Sequence, residues 1–214
     1  MNIRTFRLER DFARRIFRLP LAAAGFALLI SSAAQAEQAA VDVVRQYQAH
    51  LLATMKQGQT LGYEGRFKAL QAPVVRAFDL GFIAQRAAGP AWTRFTEPQR
   101  KRYVEAFTGY SVSQHASRFK SFGNERFEML GSDDVGRGYV RVRTQIVTGG
   151  DERISLDYLM SQRAGGWKIV DVFAKGTISE VATRRADFAP VINAQGAEGL
   201  IRELEAKVAA ARSS

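Results

Sequence analysis

The sequence has no cysteine, only two histidines, His50 and His115, and five prolines in 214 residues. Without cysteine there is no disulfide, no thiolate metal site and no lipid-modified cysteine at an export cleavage point. The two histidines fall on separate predicted helices without HExxH spacing, so neither reads as a zinc ligand, and neither a metal nor another cofactor is expected. No G-x-S-x-G elbow, phosphate-binding loop or dinucleotide fingerprint occurs. These absences exclude the enzyme classes that announce themselves by such groups, and the reading is that the protein is not an enzyme. A comfortable membrane anchor is missing too. The apolar run at residues 19–30 would span about 18 Å as a helix, against a hydrocarbon core of roughly 30 Å.

That run has the setting of a signal peptide instead. Before it, Arg4, Arg7, Arg10, Arg14, Arg15 and Arg18 outweigh Glu9 and Asp11; after it, Ala34-Gln35-Ala36 fits the small-x-small pattern of signal peptidase. Residues 1–36 are expected to be removed, leaving 37–214 as a single domain exported to the periplasm. Arg14-Arg15-Ile16-Phe17 resembles a twin-arginine signal, but Ala13 and Arg18 depart from its flanks, so ordinary Sec export is favoured. The net charge of +10 invites a nucleic-acid reading. Without the six arginines and two acids of residues 1–36 it falls to +6, and the remainder is dispersed. Such an excess suits transient contact with anionic lipid headgroups, or serves solubility alone, and no nucleic-acid partner is expected.

No repeat, low-complexity tract or linker interrupts the rest. Val44, Tyr47, Leu51 and Met55 recur at helical spacing, predicting a helix over 38–57 that Gly58 and Gly62 end. Shorter helices are expected over 65–78 and 79–88, before Gly89-Pro90. Thr96, Pro98 and Gln99 form a helix start with a capping box, and Tyr103, Phe107, Tyr110, Phe119 and Phe122 load the helix that follows. Between residues 125 and 174 the apolar period drops to two. Four strands are expected, joined by turns at Gly149-Gly150-Asp151 and Ala164-Gly165-Gly166, with Asp133-Asp134 also read as turn-forming. Thr177 and Glu180 suggest a further capping box, and a last helix carries Leu200, Leu204 and Val208. Helices on both sides of an antiparallel meander predict an α+β fold, with helices packed on one face of a curved, roughly four-stranded sheet.

Asp171 shares strand parity with Trp167, Ile169 and Phe173 and is therefore expected to face inward, where a carboxylate near Tyr158 could act as a base. A structural role, accepting hydrogen bonds or pairing with an arginine, is the stronger expectation. What is abundant is apolar and aromatic surface. It suits a cavity for a lipid, since exposing each methylene to water costs about 0.8 kcal/mol, yet a filled core uses the same residue types.

Gly89-Pro90-Ala91-Trp92, Phe95 to Gln99, Phe107, Asp157 to Met160, Gly166 to Val172, Gly176 to Glu180, Ala182 to Phe188 and Gly199-Leu200-Ile201 together resemble the MlaC family of periplasmic lipid carriers. The similarity covers most of residues 47–204 and is closest to the hopanoid-associated HpnM branch, which Thr183 favours. Lys175 departs from the acid common before the glycine. The resemblance implies a deep apolar cavity between helices and sheet, holding phospholipid acyl chains or a hopanoid. It also implies a monomer that shuttles this cargo, as an auxiliary component of an ABC transporter, between inner- and outer-membrane complexes. Candidate lining residues are Phe78, Phe82, Trp92, Tyr103, Phe107, Tyr110, Val142, Ile146, Leu156, Tyr158, Met160 and Trp167, with Arg184 and Arg185 for a headgroup or partner. Two other readings stay open: a cavity enzyme of isomerase type acting on a terpenoid or lipid, and a transporter adaptor that binds no lipid.

Overall fold

The helix start expected at Thr96 is built as the local sequence requires. Thr96 Oγ1 accepts from the Gln99 amide while Gln99 Oε1 accepts from the Thr96 amide, and Pro98 occupies the first turn, where no N–H is needed. This opens α4 (Glu97–Arg118). The computed structural model describes residues 22–213, with side chains from residue 35 onward, so the basic head of the expected signal peptide lies outside the described residues. Ala36–Ser214 forms one compact unit, and the residues before it a separate one. Before α4 come α1 (Ala22–Lys56), α2 (Gly58–Ala77), α3 (Leu80–Ala88) and a 3-10 turn, Gly89–Arg94. After it come β1 (Arg126–Gly136), β2 (Tyr139–Val147), β3 (Arg153–Arg163), β4 (Gly166–Ala174), the two-residue β5 (Ile178–Ser179) and α5 (Glu180–Arg212). The fold is α+β, and the sheet is an antiparallel meander in the order β1-β2-β3-β4-β5. The fifth strand is too short to leave a period in the sequence.

Several local expectations change. Gly58 begins α2 rather than only ending α1, and the break falls at Gly62, whose φ of 59° sits where side-chain-bearing residues are strained. Gly196, at φ 66°, breaks α5 in the same way, dividing the two helices expected there. Phe122 lies beyond the end of α4 and is exposed, beneath the Lys56 ammonium, so it adds nothing to the helix's apolar stripe. The cap of α5 is Ser179, not Thr177; its hydroxyl accepts from the Ala182 amide. Asp133 and Asp134 are strand residues of β1, and the turn falls beyond them at Arg137-Gly138.

The largest correction is in β4. Leu159 pairs with Asp171 but Met160 pairs with Ile169, so Val170 is an extra residue, a β-bulge. One inserted residue exchanges the faces for everything beyond it. Ile169 stays on the inner face opposite Met160, then Val172 and Ala174 take that face opposite Tyr158 and Leu156. Asp171 and Phe173 pass to the other side, where the Phe173 ring packs against the Arg141 guanidinium at 5.1 Å.

The core lies between the helices and the inner sheet face, with Tyr103, Phe107, Leu51, Leu70, Met160, Ile169, Leu200 and Leu204 among its fully buried side chains. Helices and sheet approach most closely in backbone along β4 and β5. Elsewhere side chains bridge the gap. The chain between α2 and α3 is sewn to β4, with Phe78 bridged to Ile169 and the Asp79 amide donating to the Ile169 carbonyl at 2.9 Å. Arg66 ties the helical layer together, donating to the carbonyls of Ala116 and Gly58 at 2.8 and 2.6 Å while buried. Arg66→Ala strands two buried acceptors, so urea denaturation is expected to show a loss of about 2–4 kcal/mol, seen as a lower midpoint at unchanged slope.

Candidate functional site

Where the helices stand away from the sheet, they leave a cavity of about 160 Å³. Its floor is Leu156 and Tyr158 of β3 with Val172 and Ala174 of β4, the four residues that the bulge brings onto one face. Tyr47 of α1, Phe78, and Leu80 and Ile83 of α3 close one side. The other side is a face of α4 at steps of four, Phe107, Ser111, His115 and Phe119, with Gln114 and Arg118 beside them. Glu180, Val181 and Arg184 of α5 complete the wall.

Aromatic rings set its shape. Tyr47 meets Phe78 edge-on at 5.1 Å, His115 at 5.9 Å and Tyr158 at 6.1 Å, and His115 meets Phe78 at 5.7 Å. Such edge-to-face pairs lock ring orientation beyond simple burial. Two polar groups on the inner sheet face are satisfied within the protein. Gln48 Nε2 donates to Thr144 Oγ1 and Tyr158 OH, at 3.1 and 3.4 Å, and Thr144 Oγ1 donates to the Leu156 carbonyl at 2.7 Å. Burial favours the uncharged forms of the ionisable rings in the wall. Burial raises the Tyr47 hydroxyl well above its ordinary value and pushes Tyr158 up to about 12, against the lowering effect of its Gln48 and Thr144 hydrogen bonds. Burial also lowers His115 to about 4, helped by the Arg184 and Arg118 charges and opposed by the Ser111 carbonyl at 2.7 Å.

Charge is confined to one border. Arg118 and Arg184 each face Glu180 at 3.8 Å. The Arg184 guanidinium also covers Tyr110 and Phe107, at 5.2 and 5.8 Å from the ring centres. Asp171 borders the cavity, but its carboxylate is occupied: Oδ1 accepts from the Val172 and Val181 amides at 2.8 and 3.1 Å, and Oδ2 accepts from Ser179 Oγ at 2.5 Å. It anchors the start of α5, the structural role, and is not positioned as a base facing inward. Among the described residues no group of three or more His, Asp or Glu gathers as a metal site would, and no helix is long and apolar enough to cross a membrane.

Of the residues expected at a lipid site, Phe78, Phe107, Leu156, Tyr158 and Arg184 meet at this cavity. Val142 and Met160 are fully buried on the inner sheet face but outside its wall, as is Tyr103, whose hydroxyl donates to the Ala84 carbonyl at 3.1 Å. Ile146 and Trp167 lie half-buried near strand ends. Phe82 lies under the Arg163 guanidinium, Trp92 under that of Arg100 and Tyr110 under that of Arg184, all outside the wall. Arg185 donates to the Arg86 carbonyl at 3.0 Å and is exposed, away from the cavity. Tyr47 was expected only as part of a buried helical stripe, His115 only as a histidine without metal-ligand spacing and Glu180 only as a capping residue, while Arg118 was not named. The signal for α4 was the step of four from Phe107 to His115, hidden because Ser111 is polar. A second hollow of about 400 Å³ runs past Asp79, Thr108, Arg163 and Lys168. Phe78 and Leu80 line both spaces and separate them.

Helices over one face of an antiparallel meander, with an apolar cavity between them and charge at a single border, define a cavity-bearing α+β protein. The chain belongs to the MlaC family: the family model described as "MlaC protein" matches residues 45–206. Among solved structures it is similar to the phospholipid-binding protein from Ralstonia solanacearum in complex with a phospholipid, with a TM-score of 0.70 and 22% identity over 80% of this chain and 98% of that one. At that identity the likeness shows the shared fold. No curated protein matches the chain.

His115 makes stability depend on pH. Its folded value near 4 lies below the ordinary 6.5, so the unfolded chain takes up the proton first. Stability is therefore expected to fall as pH drops from about 6.5 towards 4, by roughly 3 kcal/mol in all. Thermal melts at pH 7.5, 5.5 and 4.5 should show a clearly flatter profile for His115→Gln than for the unmodified protein.

Proposed function

We propose that this protein is a periplasmic lipid carrier that holds phospholipid acyl chains in the cavity and catalyses no covalent step. One observation carries the reading: a neutral, ring-lined cavity whose charges all sit at one border, the polarity of a lipid turned inside out. The likeness to a protein solved with a phospholipid, and the family, support it. About 160 Å³ matches cavities that accept a single benzene-sized guest, so it seats a short stretch of one chain. Taking a whole two-chain lipid requires the wall to yield, and Phe78 and Leu80, which line both this cavity and the second hollow, are the place in this proposal where it does so. Flexible acyl chains enter such a space segment by segment, whereas a fused ring system does not. Phospholipid is thus the first reading. Thr183, the residue that favours the HpnM branch, is the observation behind a hopanoid as the second. It is exposed and bonded to the Ser179 carbonyl, clear of the cavity.

In this proposal residues 1–36 direct export and are removed, and 37–214 work as one monomeric domain. That domain passes lipid between inner- and outer-membrane complexes during transient membrane contacts. The partly buried Arg184 takes the headgroup; Arg185 is left for a partner. The isomerase alternative loses its base, because Asp171 is committed to α5. The adaptor alternative predicts no lipid at all.

Native mass spectrometry of freshly purified protein tests the proposal: a lipid-sized mass increment is expected, and its absence after incubation with phospholipid vesicles overturns it. Val172→Trp, which plugs the floor, should reduce bound lipid about tenfold, equivalent to losing the burial of roughly two methylenes, while circular dichroism stays unchanged. Asp171→Ala should leave lipid binding intact and lower the thermal midpoint, costing about 1–2 kcal/mol as a lost helix cap does.

A further inference from the structure

Glu180 is a carboxylate set between two cations that neither of them uses fully. Its Oε1 lies 3.8 Å from Arg118 Nη1 and its Oε2 lies 3.8 Å from Arg184 Nη2, so each oxygen faces a different guanidinium beyond hydrogen-bond length. The guanidinium of Arg184 has five N–H donors, yet it makes no hydrogen bond among the described residues, although its side chain is only 15% exposed. It is held by the faces of Phe107 and Tyr110. Arg118 reaches the same border from the end of α4, and both charges are felt at His115 inside the cavity. The other acid nearby, Asp171, is saturated by Ser179 and two backbone amides. Glu180 is therefore the one carboxylate of the cavity border that remains open to a ligand.

Two forked cations flanking one anion offer a headgroup partners of both signs. A phosphodiester can bridge the two guanidinium groups through its two free oxygens. Every phospholipid brings this phosphate, and a headgroup ending in hydroxyls leaves its repulsion with Glu180 uncompensated. A headgroup that carries an ammonium two carbons from its phosphate meets Glu180 as an ion pair. We infer that the Arg118–Glu180–Arg184 cluster selects zwitterionic phospholipids, those ending in an amino alcohol, over phospholipids whose headgroup ends in neutral hydroxyls. This rests on the lipid-carrier reading and adds to it the class of headgroup.

The test is competition for uptake. The protein is incubated with vesicles containing equal amounts of phosphatidylethanolamine and phosphatidylglycerol with the same acyl chains, and the bound lipids are identified by native mass spectrometry. A preference of about threefold to fivefold for phosphatidylethanolamine is expected, the size that a partly exposed ion pair supplies. Glu180→Gln should bring the ratio to about one, whereas Glu198→Gln, whose carboxylate pairs with Arg102 on the surface, should leave it unchanged. Equal uptake by the unmodified protein, or a preference that survives Glu180→Gln, overturns the selection while leaving lipid carriage in place. No uptake of either lipid overturns the carrier reading itself. Free phosphoethanolamine in excess should not displace the lipid; if it does, the cluster reads a soluble phosphate ester and the lipid assignment falls.

Discussion

The inner face of the sheet is apolar and has to be covered, but the helices come closest to it along β4 and β5. Everything that distinguishes this interior follows from how the remaining gap is filled. Closely apposed backbones would leave room for small side chains and no cavity. Here the gap is spanned by rings, Tyr47, Phe78 and His115 from the helical side and Tyr158 from the sheet, held edge to face. Rings pack as rigid plates, so they span a gap without filling every corner of it. The cavity is the corner they leave. Gln48 completes the arrangement by giving the two hydroxyls of the inner face a partner inside the protein.

The same separation sorts the charges. Within the gap, water is scarce, so the ionisable groups there are kept in their uncharged forms, His115 most plainly. At the border, where α4 ends and α5 begins, Arg118, Glu180 and Arg184 are partly exposed and face one another as ion pairs. A polarity gradient thus runs from one end of a small cavity to the other. It arises because two helix ends meet there, and helix ends are where chains return to solvent. Asp171, the acid that strand parity offered as an inward-facing base, is instead spent on holding the start of α5.

Much of the architecture was legible because it rests on periodicity and capping, which are local. The change from a period of 3.6 to one of 2 marked four strands, and Thr96 with Gln99 marked the start of α4. What failed to show was produced by single residues acting at a distance. The bulge at Val170 has no mark of its own in the sequence, because valine is as much at home in a regular strand, yet it moved Asp171 off the inner face. Ser179, not Thr177, directly precedes the first residue of α5, and its hydroxyl both caps that helix and donates to Asp171. The site was half visible for a similar reason. Phe78, Phe107, Leu156 and Tyr158 were found by being apolar, whereas Tyr103, Val142 and Met160 are just as apolar and belong to the solid core. The cavity face of α4 alternates hydroxyl, amide and imidazole with phenyl groups, a pattern that hydrophobicity does not detect.

The two borders of the sheet are finished differently. On one, the free edge of β4 is taken up by the Phe78 bridge and by β5. On the other, β1 is interrupted by irregularities at Gly131 and Gly136 and carries Asp133 and Asp134. Neither border offers the long, flat, uncharged template on which a second molecule could extend the ladder. Edges finished in this way disfavour the strand-to-strand stacking from which fibrils grow.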